Sequence, residues 1–393
     1  MQTPHTRTRR PETVAVIGAG VCGLGIGWRL AQAGCRVDIF DRGAIGRGAS
    51  HAAAGMLAAG VETEPGELDL LQLNRRSQQA WPAFAAEVEA ASGQDIGYRD
   101  DGTLVVALTR DDERQLRFIH DYHRRAGIEA TLIGGAEARQ REPYLNPRIP
   151  AAVWSPDDHQ VDNRALTSAL AEAAKRAGAR LRPDSGVEAV RIENGRATGV
   201  VVGDETVPAD RVVLAAGAWC RAVGGLAPAA LPPVRPVKGQ MLALQMDPDA
   251  PLLRHVLWAP GIYLVPRRDG RLLIGATVEE KGFDDAITAG GQYALLDAAW
   301  RALPGIEELP IAETWVGFRP GSRDDAPILG PGPLDGLVYA TGHHRNGILL
   351  APVTADLVSR FVLTGDLDPA LAPFTLARFD PALESGPAAL AAE

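Results

Sequence analysis

Apolar residues along the chain follow two periods, and the switches between them divide it into elements. Thr13–Ile17 is a short β-branched apolar run, which predicts a strand. From 21 to 33 the apolar positions share one helical face, and Gly34 supplies the stop. Residues 35–40 return to a strand pattern that ends at Asp41. Helical spacing recurs over 66–92, then a strand is predicted over 102–108 and an amphipathic helix over 111–126. A further helix over 163–177 is bounded by Asp162, a good N-cap, and by Gly178. Strands are predicted at 179–182, 186–193, 197–202 and 211–215, with Asn194-Gly195 as a hairpin turn. More follow at 240–245, Ile262–Pro266 and 272–277, the last two joined through Arg268-Asp269-Gly270. Helices over 291–303 and 352–363 flank a strand at 337–340. There is no internal repeat. Parallel βαβ segments mixed with antiparallel-looking runs predict two domains that the chain enters more than once.

A chain of 393 residues, 46% hydrophobic and 23% charged, is long enough for two or three domains with a large core. Forty basic against forty-nine acidic residues give a net charge of −9, which argues against nucleic acid as a main partner. Cys22, Cys35 and Cys220 are too few for a disulfide framework, and their spacing suits no zinc site, so no metal is expected. No apolar run reaches the roughly 18–20 residues of a membrane span. The polar, basic start with Arg9-Arg10 reads as a frayed tail rather than a secretion signal, so a cytoplasmic protein is expected. The Ala/Pro-rich end is expected to be a disordered tail.

Gly18-Ala19-Gly20-Val21-Cys22-Gly23 matches GxGxxG between a strand and a helix. That pattern gives a tight turn, close backbone approach to a pyrophosphate and close helix–strand packing. Free N–H groups at the helix start then face the phosphates. Asp41, at the end of the second strand, is placed to accept hydrogen bonds from a ribose. A dinucleotide site follows.

Two further segments narrow the dinucleotide. Residues 46–57 (GRGASHAAAGML) are small and would pass close beside a flat ligand, and 212–219 (VVLAAGAW) is a strand ending in a small-residue turn. The pair resembles the FAD fingerprints of D-amino-acid-oxidase-like flavoenzymes. The resemblance continues through Pro236-Val237-Lys238-Gly239-Gln240, Tyr263-Leu264-Val265-Pro266-Arg267, 315–321 (WVGFRPG) and 342–351 (GHHRNGILLA). Over about residues 13–370 the chain is similar to the glycine/sarcosine/D-amino-acid oxidase family.

The resemblance implies an α/β fold: a Rossmann-like FAD-binding domain plus an antiparallel-sheet substrate domain. It divides the chain into 1–95, 148–232 and 315–375 for FAD, 96–147 and 233–314 for substrate, and a tail over 376–393. It implies cofactor contacts at Gly18, Gly20, Val21, Cys22, Gly23, Asp41, Arg42, Ser50, Ala53, Ala54, Gly55 and Met56. Later in the chain it adds Val187, Ala216, Gly217, Trp219, Gly342, His343, Arg345, Asn346, Gly347, Ile348 and Leu349. Arg319 takes the family's carboxylate-binding position, where a planar guanidinium makes two parallel charge-assisted bonds. Tyr263 matches the tyrosine that supplements it, and Arg345 an arginine lining the same pocket. Backbone N–H groups over 345–349 are expected to face the flavin edge.

The implied activity is FAD-dependent oxidative deamination of glycine and similar small amino acids, with sarcosine, D-alanine and D-proline as further candidates. Hydride leaves Cα of the neutral amine for flavin N5, no protein base being obligatory. Imine, then glyoxylate and ammonia, and hydrogen peroxide from oxygen are the expected products. The family's role suggests thiazole synthase of thiamine biosynthesis as a partner, and a homo-oligomer. Some relatives link FAD through a histidine three residues before the motif glycine; here that position is Ala52, and His51 lies one residue early. No cysteine follows Cys220 to serve as a late linkage, so FAD is expected to be non-covalent. Gly261 stands where several glycine-oxidising relatives carry a histidine, which predicts a roomier pocket mouth. A dehydrogenase passing electrons to a partner, and a non-catalytic flavin sensor, are the alternatives.

Overall fold

The computed structural model describes residues 12–380. Its first sheet has six strands in the order Ile328–Pro331, Leu337–Thr341, Arg211–Leu214, Thr13–Ile17, Arg36–Phe40 and Arg180–Arg182. All neighbours are parallel except the antiparallel edge strand Ile328–Pro331. The period-2 alternation gives the sheet two apolar faces. Val14, Val16, Val37 and Ile39 pack into a core with helices Val21–Gln32, Asn163–Arg176, Ala351–Thr364 and Leu68–Ser92. Ala15, Ile17, Phe40 and Leu214 pack on the other side against the antiparallel sheet Ala189–Glu193, Arg196–Val202 and Glu205–Pro208.

The second large sheet has eight strands in the order Ile311–Gly321, Arg235–Gln245, Arg271–Gly275, Ile262–Pro266, Val256–Ala259, Thr103–Val106, Ala151–Ser155 and Thr131–Gly134. One pair, Val256–Ala259 with Thr103–Val106, is parallel and the rest are antiparallel. Leu242 and Leu244 point to a core shared with helix Ala289–Ala302, whereas Met241 and Ala243 meet Ala54 and Trp315 on the opposite face. That second face turns towards the small-residue segment.

Three expectations need correction. Strand Ala151–Ser155, assigned by sequence to the FAD-binding part, is in the eight-stranded sheet, paired on both sides. The chain returns only at His159–Gln160, which pairs with Met56–Leu57. Residues 315–321, assigned by sequence to the FAD-binding part, belong to strand Ile311–Gly321, which lies wholly in the eight-stranded sheet. The tail expected from 376 is ordered at its start: Leu376–Phe379 is a 3₁₀ turn, and Arg378 pairs with Asp324 at 2.8 Å. The remainder of that tail and the basic start lie outside the described residues. Among the described residues no helix is long and apolar enough to cross a membrane.

Candidate active site

The glycine turn is dictated by close packing. Gly18 has φ +106°, and a Cβ there would stand 2.4 Å from the Ala215 carbonyl; one at Gly23 would stand 2.0 Å from the Gly18 carbonyl. Gly20 opens helix Val21–Gln32 with no side-chain cap, and the Val21 N–H donates to Ser50 Oγ at 2.9 Å. The helix start therefore presents amides and a positive dipole end. Asp41 fixes this turn: its carboxylate accepts from the Ala19 N–H at 2.9 Å and from the Gly43 N–H at 3.1 Å.

These groups line a cavity of about 330 Å³. Around it stand Gly18, Gly20, Val21, Cys22, Asp41, Arg42, Ser50, Ala53, Val187, Ala216, Gly217, Trp219, His343, Arg345, Gly347 and Ile348, all named by sequence. The Arg42 guanidinium lies 3.8 Å from the Trp219 ring centre, and Phe283 stacks on the same indole at 5.2 Å. Burial pushes His343 down to about 4 and the Cys22 thiol up to about 12, so both are neutral around pH 7. His343 Nε2 meets Thr354 Oγ1 at 3.1 Å. An uncapped helix start between a carboxylate-bearing end and an apolar end fits a dinucleotide with its pyrophosphate at the glycine turn.

Seven expected contacts stand behind this wall. Gly23 packs under the turn, Ala54 joins the core against the eight-stranded sheet, and Met56 pairs with Gln160. Gly55, at φ +70°, leaves no room for a Cβ, which would stand 2.0 Å from the Val161 carbonyl. Gly342 turns the chain at φ +71°, and the Asn346 N–H bonds the His343 carbonyl. Leu349 is core, its carbonyl taken by Ser77 and Trp81. His344, read by sequence as packing at the edge of the site, also lines the cavity, as do Arg47, Gly186 and Pro320, which were not singled out. Arg47 and Pro320 lie inside motifs already read, a signal that was available.

The eight-stranded sheet carries Arg319 and Tyr263, two of the residues expected at the substrate. Arg319 is seated against Gly239, where a Cβ would stand 2.6 Å from its Nη1, and it donates to the Thr277 carbonyl at 3.2 Å. Among the described residues no carboxylate lies within ion-pair distance of Arg319. The Tyr263 hydroxyl donates to Met241 sulfur at 3.3 Å; burial pushes its pKa up, against the pull of the nearby Arg319 charge. Arg345 is held differently from Arg319. It faces an acidic segment, with Glu62 at 3.2 Å, Glu64 at 3.4 Å and Glu67 at 3.6 Å. Glu62 is nearly buried, and burial drives its carboxyl up to about 7 despite Arg345, with Asp158 adding to the rise. Charges on Arg319 and Glu62 both act on Tyr263, so the four side chains share one neighbourhood. Sequence reading missed Glu62, which sits in a polar loop that matches no motif. Gly261 is an exposed hairpin tip at φ +77° with nothing within 4 Å of a Cβ. Among the described residues no cluster of three or more metal-ligating side chains occurs.

A Rossmann-type sheet with a glycine turn, joined to a large antiparallel sheet carrying an arginine–tyrosine pair, defines a two-domain flavoprotein. Residues 13–361 match the DAO family of FAD-dependent oxidoreductases, and the chain belongs to that family; FAD is its cofactor. It is 38% identical to the glycine oxidase of Geobacillus kaustophilus over 368 residues, covering 93% of this chain and 96% of that protein. The solved structure of a glycine oxidase from Geobacillus kaustophilus superposes with a TM-score of 0.86 at 37% identity, covering 93% of this chain and 99% of the other. The bifunctional protein ThiO/ThiG of Synechocystis is 38% identical over 372 residues, which are 93% of this chain and 54% of that protein. The chain thus spans about half the length of such bifunctional relatives.

Proposed function

We propose that the chain oxidises glycine and similar small amino acids. The observation that carries this reading is Arg319, a cation without a carboxylate partner among the described residues, beside the Tyr263 hydroxyl. Near-full-length similarity to a glycine oxidase supports it. FAD, held at the glycine turn beside Asp41, would supply the two-electron oxidation at the substrate Cα and the reaction with oxygen that gives hydrogen peroxide. Arg319 binds the substrate carboxylate, Tyr263 adds a hydrogen bond, and the pair orients Cα. Glu62 faces the amine and favours its binding as the ammonium form, which loses a proton before Cα–H cleavage. His343 and Cys22 remain neutral and shape the wall. The imine product hydrolyses to glyoxylate and ammonia.

The sixteen wall residues and the three substrate residues named above form the proposed site, with non-covalent FAD. Within the proposed two-unit division, 151–155 and 315–321 move to the substrate unit. We further propose that the imine is passed to thiazole synthase in thiamine biosynthesis, that the protein is cytoplasmic, and that it self-associates. The bifunctional relatives support the first of these, since a sequence like this one makes up about half of a longer chain. The test is a peroxide assay of purified holoprotein with glycine, sarcosine, D-alanine and D-proline. Turnover that needs an artificial acceptor and yields no peroxide would assign it as a dehydrogenase instead.

A further inference from the structure

Asp158 is fully buried, just beyond strand Ala151–Ser155. Its carboxylate accepts four hydrogen bonds, all from neutral donors. Oδ1 takes the Gly60 N–H at 2.8 Å and Gln78 Nε2 at 2.9 Å. Oδ2 takes the Val61 N–H at 2.9 Å and Ser155 Oγ at 2.8 Å. A buried carboxylate is costly without such bonds, and burial does push the Asp158 carboxyl up against them. The contact is close enough to dictate a residue: a Cβ at position 60 would stand 2.7 Å from Oδ2, so glycine is required there.

The donors bracket one segment. Gly60 and Val61 begin it, and Gln78 belongs to helix Leu68–Ser92, which follows it. Between them lie Glu62, Glu64 and Glu67, the three carboxylates paired with Arg345. The Glu62 carbonyl also accepts from Arg345 Nη2 at 2.9 Å. Thr63 closes the turn onto the Ala59 carbonyl at 2.6 Å, and His123 Nε2 reaches the Thr63 carbonyl at 3.4 Å. Nothing in regular secondary structure fixes residues 58–67. Their shape depends on Asp158 and these local bonds.

We infer that Asp158 is a positioning residue for the amine end of the substrate pocket, fixing through the Gly60 and Val61 amides and Gln78 the segment that sets Glu62 against Arg345. This rests on the reading that the site binds a small amino acid. An asparagine at 158 keeps the shape and the Gly60 bond, but its amide nitrogen opposes the Val61 N–H, whereas the Ser155 hydroxyl can rotate to accept. One tether of the segment is lost and the fold is kept.

The test uses Asp158→Asn, Glu62→Gln and the double variant as holoproteins. Glycine kinetics are measured, together with glycine and acetate affinities from the perturbed flavin absorbance. For Asp158→Asn the KM for glycine is expected to rise roughly tenfold, the scale of one lost hydrogen bond to a charged group, with kcat changed less than about threefold. Acetate, which has a carboxylate and no amine, is expected to bind within about twofold of wild type. The double variant is expected to be no worse than the poorer single one, because both changes act through Glu62. Losses that multiply, equal weakening of acetate, or loss of FAD from Asp158→Asn would overturn the assignment. If Asp158→Asn gives no folded holoprotein, Gln78→Met removes one donor and is judged by the same glycine-to-acetate ratio. A wild type that binds both ligands yet oxidises no amino acid refutes the oxidase reading alone, since the affinities still test Asp158.

Discussion

Arg319 and Glu62 present opposite charges to one neighbourhood, and in the proposed site each makes a separate demand on the substrate. Arg319 lacks a carboxylate partner among the described residues, so under the proposed role its removal would leave a bound substrate carboxylate partly desolvated without a counter-ion. Such losses cost about 2–5 kcal/mol, so Arg319→Ala is expected to lower kcat/KM for glycine by roughly thirtyfold to several thousandfold. Arg319→Lys keeps charge without the planar fork and should fall between the two. A primary amine lacking a carboxylate, poorly used by wild type, should be indifferent to either change; equal losses for both substrates would refute the anchor. Glu62 predicts a pH signature. Its carboxyl ionises near about 7, whereas burial holds His343 and His344 near about 4, so a limb near neutrality belongs to Glu62. Around Glu62 stand Arg345, Arg319, Asp158 and Glu67. As the pH rises through about 7 the carboxylate forms, and the KM for glycine is expected to fall; in Glu62→Gln the profile from pH 6 to 8 should be flat. The sign for stability is opposite. A carboxyl raised in the fold contributes stability below its ordinary range and loses it as the pH rises through about 7, so Glu62→Gln should unfold at a less pH-dependent temperature above pH 5.

At the scale of elements, the strand–turn–helix unit at the start of the chain does two jobs with the same atoms. Asp41 ties the Ala19 and Gly43 amides, shaping the turn, while its side chain lines the cavity. Asp41→Ala removes the two hydrogen bonds that shape the turn and the proposed ribose acceptor together. Loss of a charge-assisted hydrogen bond is worth about 1.5–3 kcal/mol, so FAD affinity should weaken roughly tenfold to hundredfold, read by titrating apoprotein with FAD. The KM for glycine of the remaining holoenzyme should stay near wild type, since Asp41 belongs to the glycine turn and Arg319 to the eight-stranded sheet. This unit was legible in sequence because glycines at tight contacts and an alternating apolar strand state their requirements locally. Thr131–Gly134 and Ala151–Ser155 were not legible. Each is short and pairs with partners far along the chain, so its role comes from the sheet rather than from its own pattern. Helix 110–125 was read within one residue from its amphipathic pattern, and Thr109 and Asp112 form a capping box at its start.

For the molecule as a whole, legibility divides along the same line. Arg319, Tyr263 and the glycine turn are carried by motifs, so sequence names them. Glu62 and Asp158 lie in polar loops that read as solvated, and only tertiary burial gives them a part; no periodicity signals that two loops about a hundred residues apart will meet. Cofactor attachment is a question at this largest scale, because the cavity draws its wall from both ends of the chain. His51 sits on the short helix Ala49–Ala52 against Arg47, at 3.3 Å, and lines a separate cleft with Arg164 and Lys175 rather than the cofactor cavity. Ala52 takes the position three before Gly55, and its carbonyl accepts from the Trp315 indole at 3.0 Å. No side chain able to form a flavin bond stands at either linkage position. Heat or acid precipitation is therefore expected to leave the yellow colour in the supernatant as FAD; colour retained by the pellet would contradict this. A reversible ligand must also stabilise the fold by mass action, by about 2.7 kcal/mol at a hundredfold excess over its Kd. For a protein of this size that corresponds to a Tm rise of roughly 3 °C on adding FAD to apoprotein, growing with the logarithm of FAD concentration. The same titration on Asp41→Ala should need tenfold to hundredfold more FAD for the same rise. A Tm that ignores added FAD while the colour resists denaturation would place the flavin in covalent linkage and the cavity's reading at fault.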